Sequence, residues 1–315
     1  MRKKKIIKKG SVAVIIQTYN DGKLLVQAIK SIINQTYKNI KIIILDDGSD
    51  QNSRKHYKDF IKNNKKIKYY YRRNMGIVKS SQDLLNLAKK TDCEYFAKMD
   101  GDDISHHKRI EKQVKSIIKN NYDLVGCNFI RINKNDKKFE LNKCTNDKIS
   151  RFNQLCVESI YAHGSILFKR ELVDKNLLYY TGPSQKFPYP EDYNMYCNLI
   201  NKCKLGTVNE YLYLYRIHKK SYSEDNKVIY NKQLNKSSKK FFKKNLSKFN
   251  EYNDILRKVD FFDYIILLKI LFRHKLWNNK IIFKSLIVNF SPRKLLQIGF
   301  YIIKRKLNKA IYVIK

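Results

Sequence analysis

The sequence predicts an α/β protein: a mixed, mostly parallel sheet flanked by helices. Three observations carry that expectation. From Ser11 to Cys127, β-branched apolar runs alternate with helical patterns in a βαβαβαβ rhythm. The apolar runs are nearly uninterrupted, as in strands covered by helices on both faces. Each run ends in a polar cluster, and open parallel sheets bind ligands beyond the carboxyl ends of their strands.

The elements follow in order. SVAVIIQTY is a first strand that runs out at TYND, and LLVQAIKSIINQ is the helix returning from it. IKIIILDD is a second strand ending at DDGSD, followed by a polar helix. IKYYYR ends at RRNMG, and IVKSSQDLLNLAKK leads back to YFAKMD, which ends at DGDD. The stretch HHKRIEKQVKSII is the next helix. LVGCNFIRI and SILFKREL read as further strands, then a Gly- and Pro-containing loop, TGPSQKFPYPED, leads into the helix YNMYCNLINKCK. Four polar clusters on one sheet edge make one site. A dinucleotide site would place GxGxxG after the first strand; TYNDGK lacks it, and no P-loop is present.

The expected organisation is a basic leader over 1–10, one α/β domain over 11–225 and a Lys-rich helical region over 226–315. The last carries 22 Lys and Arg against 4 Asp and Glu, so +18 of the formal net charge of +38 lies there. Such a distribution attracts polyanions or an anionic membrane face. The six cysteines form no CxxC pair and read as reduced thiols of an intracellular protein, without a zinc site. The N-terminal MRKKKIIKKGS lacks the apolar stretch and cleavage site of a secretory signal. No window reaches the roughly 18 uninterrupted apolar residues of a spanning helix. The expectation is a soluble or peripheral protein.

The DGDD cluster concentrates acid in a chain short of it. Carboxylates crowded at a strand end repel one another unless a cation neutralises them. Mg²⁺ or Mn²⁺ held by one or two carboxylates, with water and phosphate oxygens completing the shell, is the arrangement that suits a nucleoside diphosphate. Asp100, Asp102 and Asp103 are the candidates. Asp103 and Ser105 also suit the cap of the following helix, and both roles can hold together.

In order and spacing, VAVIIQTYND, IIILDDGSD, MDGDDI, PYPEDYNMY and YRIH resemble family 2 glycosyltransferases of the GT-A fold, over residues 11 to 223. That resemblance implies a nucleotide-sugar donor, Mn²⁺ or Mg²⁺, and a metal and donor site on Asp100 and Asp102, with Asp103 adjacent. It places the nucleotide pocket on Thr18, Tyr19 and Asn20, on Asp46 and Asp47, and on Arg73, Asn74 and Gly76. An Asp accepts from a base N–H or a ribose hydroxyl, and an Arg stacks on the base or neutralises phosphate. DDGS is equally an ordinary turn sequence, and Asn20 could start a helix.

Glu191 and Asp192 open a helix, whose N-terminal dipole favours ionised carboxylates. The resemblance makes Asp192 the general base for the acceptor hydroxyl and Glu191 its support. On an extended YRIH, Arg216 and His218 share one face; the family pattern gives His218 to the metal and Arg216 to phosphate or a neighbouring acid. His163 matches a position near the acceptor and reads equally as a satisfied core residue. The implied chemistry is a single inverting displacement onto a hydroxyl of a glycan or lipid-linked acceptor, in bacterial surface polysaccharide synthesis. UDP is the favoured nucleotide, and the expected location is cytoplasmic, peripheral on the inner membrane face.

Two C-terminal stretches, FFDYIILLKILFRHKLW and IIFKSLIVNFSPRKLLQIGFYIIKRKL, mix aromatics with Lys and Arg as interfacial helices do. They suit packing on the catalytic domain or a homo-oligomer interface equally well. A sugar-phosphate nucleotidyltransferase would want a Gly-rich, Lys-containing loop after the first strand, and QTYNDGK is a poor one. A nucleic-acid binder fits the charge and the 23 tyrosines, yet acids on the sheet edge repel a phosphate backbone, so no nucleic-acid partner is expected.

Overall fold

The computed structural model describes residues 7–182, 189–218, 227–254 and 261–274. These fall into two compact units, one drawn from Met1–Cys144 and Tyr161–Tyr230, the other from Thr145–Ile160 and Asn231–Lys315.

The first unit holds the sheet. β1 (Lys8–Thr18), β2 (Ile40–Asp46), β3 (Ile67–Tyr71) and β4 (Cys93–Asp100) are joined by the crossover helices α1 (Lys23–Ile33) and α4 (Ile77–Lys89), with two short helices, α2 (Gln51–Arg54) and α3 (Lys58–Lys62), where one polar helix was expected. β1 pairs in parallel with β2 and β4, and β2 with β3. Ser11 to Ile16 are all buried, because helices cover both faces of this strand. Val12, Val14 and Ile16 pack with Ile42, Ile44, Ala97 and Met99 and with Leu25, Ile29 and Ile32 of α1.

Beyond β4 the chain forms β5 (Ile104–Ser105), α5 (Arg109–Asn120), β6 (Leu124–Ile132), β7 (Lys138–Asn142), β8 (Leu167–Lys169), α7 (Glu171–Asp174), α8 (Glu191–Leu199) and β9 (Leu205–Arg216). Among the described residues the sheet has nine strands, in the order β3-β2-β1-β4-β8-β6-β9-β5, with β7 on β6. β6 and β9 are parallel; β8, β5 and β7 run against their neighbours. SILFKREL, expected as one strand, is divided: a 3₁₀ turn spans His163–Ser165, β8 takes three residues and Glu171 opens α7.

Register aligns the site. Thr18 pairs with Asp46, Asp46 with Tyr71, and Gln17 with Asp100. The carboxyl ends of four strands therefore stand in one row.

The second unit contains α6 (Lys148–Leu155), most of α9 (Lys227–Lys244), α10 (Leu246–Asp254) and α11 (Phe261–His274). Phe152 of α6 meets Phe241 of α9 at 5.4 Å between ring centroids. Lys269 of α11 pairs with Glu158 at 2.8 Å, and His274 stacks on Phe242 at 4.2 Å. FFDYIILLKILFRH is thus helical as read, while the stretch from Ile281, the leader residues 1–6 and part of the TGPSQKFPYPED loop lie outside the described residues. No helix among the described residues is long and apolar enough to cross a membrane.

Candidate active site

The ends of β1, β2 and β3 form one wall. Asp47 N–H donates to Thr18 O at 2.9 Å, binding the first two loops together. Asn20 does not start a helix: it stands at φ 62°, its N–H donates to Ser49 Oγ and its Oδ1 accepts from Asp50 N–H at 2.8 Å. Gly48 has φ 91°, and a Cβ there would sit 2.5 Å from Asn74 N. Only glycine lets the DDGS turn approach the RRNMG loop this closely.

Sequence reasoning placed Asp46 and Asp47 together against the nucleotide, and the structure separates them. Asp46 is fully buried; Oδ1 accepts from Ser49 N–H, and Oδ2 accepts from the Tyr57 and Tyr69 hydroxyls at 2.6 and 2.5 Å. Three protein donors thus brace the Asp46 carboxylate within the wall. Asp47 Oδ1 accepts from Arg72 Nε at 2.8 Å and from Met75 N–H at 3.1 Å. Arg72, which the sequence reading passed over for Arg73, also pairs with Asp83. Arg73 is exposed, as are Tyr19 and Asn74, and Gly76 N–H donates to Asn74 Oδ1. Thr18 is buried, with Oγ1 donating to Asp21 Oδ2 at 2.7 Å.

The second wall starts at the end of β4. Asp100, Asp102 and Asp103 separate into three environments. Burial, partly offset by the Lys98 ammonium and reinforced by Asp102 and Asp192, raises the Asp100 carboxyl to about 6. Asp102 lies 3.0 Å from His218 Nε2, which joins the two residues expected to share a metal. Asp103 turns inward: it is 1% exposed, Oδ1 accepts from Arg216 N–H at 2.6 Å, and burial followed by the Asp102 and Asp100 charges holds its carboxyl well above the usual range. Asp103 Oδ1 thus braces the end of β9, and Asp103 does not cap α5, whose N-cap is Lys108.

Arg216 also departs from expectation. It is 1% exposed, with Nε donating to Asp102 O at 2.6 Å, Nη1 to Asn133 O at 3.1 Å and to Asp136, and Nη2 to Gln27 Oε1 at 3.2 Å. A guanidinium so engaged has no fork left for a phosphate. It anchors the DGDD loop from behind. Asp21, absent from the sequence candidates, is a further carboxylate here, raised well above the usual range by burial and by Asp102.

The third wall is the start of α8. Glu191 is 5% exposed, and burial followed by the Asp192 charge pushes its carboxyl well up, overriding the helix dipole. Asp192 is half-buried, and its charge acts on Asp100, Glu191 and Tyr180. The arrangement brings the DGDD and PED clusters onto one site. His163 is held between two tyrosines: it shares a 2.8 Å hydrogen bond with the Tyr180 hydroxyl and lies 3.4 Å from the Tyr196 hydroxyl, while burial and then Lys98 keep its imidazole neutral. His163 is half-buried, with both ring nitrogens beside tyrosine hydroxyls.

Gly164 lets the 3₁₀ turn close on this site. A Cβ there would stand 1.9 Å from the Tyr213 hydroxyl and 2.7 Å from Asp100 Oδ2. Gly164→Ala should therefore lower donor turnover by at least about tenfold, since small misplacements of reacting groups cost rates of this order. A parallel thermal melt checks that the loss exceeds any change in folded fraction.

Among the described residues no three His, Cys, Asp or Glu side chains converge as a ready metal cage. Mn²⁺ or Mg²⁺ bound with a diphosphate needs only one or two protein ligands. Asp102 with His218, and Asp100 beside them, fit such a partial shell: oxygen and imidazole donors in a cluster whose mutual repulsion a cation would relieve.

Comparison with known proteins supplies the remaining finding. The family description "Glycosyl transferase family 2" matches residues 13–177. An Escherichia coli protein named O-antigen biosynthesis glycosyltransferase WbnJ is 30% identical over 243 residues, covering 74% of this chain and 89% of that one. Among solved structures, S. aureus TarS 1–349 in complex with UDP-GlcNAc superposes with a TM-score of 0.55 at 13% identity, covering 90% of this chain and 92% of that one. The mannosyltransferase PcManGT from Pyrobaculum calidifontis, in complex with GDP-Man and Mn²⁺, gives 0.54 at 14% identity and covers 99% and 89%. At these identities the two structures speak for the fold alone.

Proposed function

Because the chain belongs to glycosyl transferase family 2, with the GT-A α/β fold, it is a glycosyltransferase, and we propose that it moves a sugar from a nucleoside-diphosphate donor to a hydroxyl of a glycan or lipid-linked acceptor. One observation carries this reading: the acidic end of β4, with Asp102 3.0 Å from His218, faces the Glu191–Asp192 pair on the same site.

The displacement runs in one step. Asp192 takes the proton of the acceptor hydroxyl, the freed oxygen attacks the anomeric carbon, and the bond from that carbon to the diphosphate oxygen breaks. The divalent ion, when bound, supplies positive charge to the departing diphosphate. Thr18, Tyr19, Asn20, Asp47, Arg73, Asn74 and Gly76 form the nucleotide wall; Glu191 supports the base. Inversion follows from a single displacement, and NMR of the product should show the anomeric configuration opposite to the donor's.

UDP is the favoured nucleotide, and surface polysaccharide assembly is the favoured setting, consistent with the name of the E. coli relative. The basic C-terminal region supports a peripheral position on an anionic cytoplasmic membrane face. The family match favours sugar transfer over the nucleotidyltransferase alternative.

The test is thermal stability with UDP, GDP, CMP and dTDP, each with and without Mn²⁺. A ligand present at one hundred times its Kd should stabilise the fold by about 2.7 kcal/mol. One nucleotide should raise the midpoint in a Mn²⁺-dependent manner, and Asp102→Ala should abolish that rise. A folded wild-type protein that shifts with none of them would overturn the reading.

A further inference from the structure

Lys98 is the one charged side chain in the otherwise apolar and aromatic stretch between Glu94 and Asp100. It stands two residues before Asp100 on β4, so the two side chains project from the same face. It is 2% exposed. Among the described residues its ammonium makes one hydrogen bond, at 3.4 Å to Gln17 Oε1, an acceptor already receiving Ser81 Oγ at 2.9 Å. Among the described residues no carboxylate lies within ion-pair distance of it, although an ammonium has three donors to satisfy.

A buried charge left in this state is costly, and burial without a close partner is rare for lysine. What surrounds it explains its retention. Burial pulls the Lys98 ammonium below the usual lysine range, and the charges that oppose burial there are those of Asp100, Glu191 and Asp192, from the end of β4 and the start of α8. The same ammonium is the cation that acts on Asp100 and on Glu191 in return. Lys98 is thus not pinned to one acid but placed behind three. Without it, three carboxylates from two elements would face one another in a desolvated pocket, and like charges in low dielectric separate.

We propose that Lys98 is a positioning residue for the transfer reaction: its buried ammonium is the common counter-charge that sets Asp100 and the Glu191–Asp192 pair at their working separation across the donor site. This rests on the function proposed above. Lys98 lies beneath the reacting groups rather than in the nucleotide wall, so its effect should fall on turnover and not on nucleotide affinity.

The full-length protein is assayed for UDP release from UDP-glucose, UDP-galactose and UDP-GlcNAc with Mn²⁺, water serving as acceptor, and for UDP affinity by calorimetry. Lys98→Met, which keeps the length and removes the charge, should lower turnover at least thirtyfold while the Kd for UDP stays within threefold. Lys98→Arg, which keeps the charge, should recover most of the loss. Turnover of Lys98→Met within threefold of wild type would overturn the inference. So would a parallel loss of UDP affinity, an equal loss in Lys98→Arg, or a failure of Lys98→Met to fold, since each would make Lys98 part of the nucleotide wall or of the core. A wild-type protein that neither binds UDP nor releases it from any of the three donors would instead overturn UDP as its nucleotide, and one that binds none of UDP, GDP, CMP and dTDP would overturn the functional reading itself.

Discussion

Asp192→Asn should lower sugar transfer by about 10²–10⁴-fold, the range that a positioned general base contributes. The substitution keeps shape, removes the charge and the capacity to accept a proton, and turns one acceptor oxygen into an amide donor. Asp192 lies outside the nucleotide wall, so nucleotide affinity should be unchanged. Folding should not suffer either. Asp192 is a source of repulsion for Glu191 and for Asp100, and neutralising it relieves two buried carboxyls. A thermal midpoint equal to or slightly above wild type, with transfer lost from kcat, is therefore the expected result. Glu191→Gln separates the roles. If Glu191 only supports its neighbour, its amide variant should keep a larger share of activity than Asp192→Asn does. Transfer by Asp192→Asn within tenfold of wild type would remove Asp192 from the role of base.

The parallel half of the fold could be read from the residues because both faces of its strands are covered. VAVII and IIIL are unbroken apolar runs, and the helix between them repeats apolar residues at helical spacing, so periodicity alone separates them. The half after β4 was harder. β5 has two residues and β8 three, too short to carry a period, and SILFKREL mixes the end of a turn, a strand and a helix start in eight residues. β7 and the first part of β9 pair at or near an open edge with polar residues exposed, so their hydrophobic signal is weak.

The site shows the same division. Strand ends marked the polar clusters, because a run of apolar residues that stops at acid is visible in one dimension. Which member of each cluster faces outward was not, since that depends on partners far along the chain. Asp46 and Asp47 are adjacent, yet two tyrosines 11 and 23 residues on take Asp46, while Arg72 and a backbone N–H hold Asp47. Arg72 and Arg73 are likewise indistinguishable by type. Lys98 was the legible omission: a lone cation inside a buried strand is a signal in the sequence itself. Arg109 was not, because a basic residue at the start of a Lys-rich helix looks solvated, yet it is fully buried and donates to Lys98 O and Gly164 O behind the site.

Arg216→Met should be the most damaging substitution for stability among the residues read as functional from sequence. The side chain is a fully buried guanidinium whose donors are spent on the carbonyls of Asp102 and Asn133, on Gln27 and on Asp136. The ion pair itself contributes little, because the Asp136 side chain is 48% exposed and its charge is screened. The cost lies in the buried acceptors left without donors, about 1–3 kcal/mol apiece. Methionine fills much of the volume and replaces none of those bonds. A loss of about 3 kcal/mol would lower the midpoint of a unit this size by roughly 6–12 °C. The functional effect follows from the same contact. Arg216 Nε is what ties the Asp102 main chain to the end of β9, and His218, two residues on, reaches the Asp102 carboxylate from that strand. Releasing the tie should weaken Mn²⁺-dependent nucleotide binding at least about tenfold, as removal of a group that orients a metal ligand does. Arg216→Lys sharpens the test, since an ammonium keeps the charge and cannot span acceptors on three segments with a planar fork. If charge toward phosphate were its role, Lys would restore binding; if anchoring is, Lys should remain near Met in both midpoint and affinity.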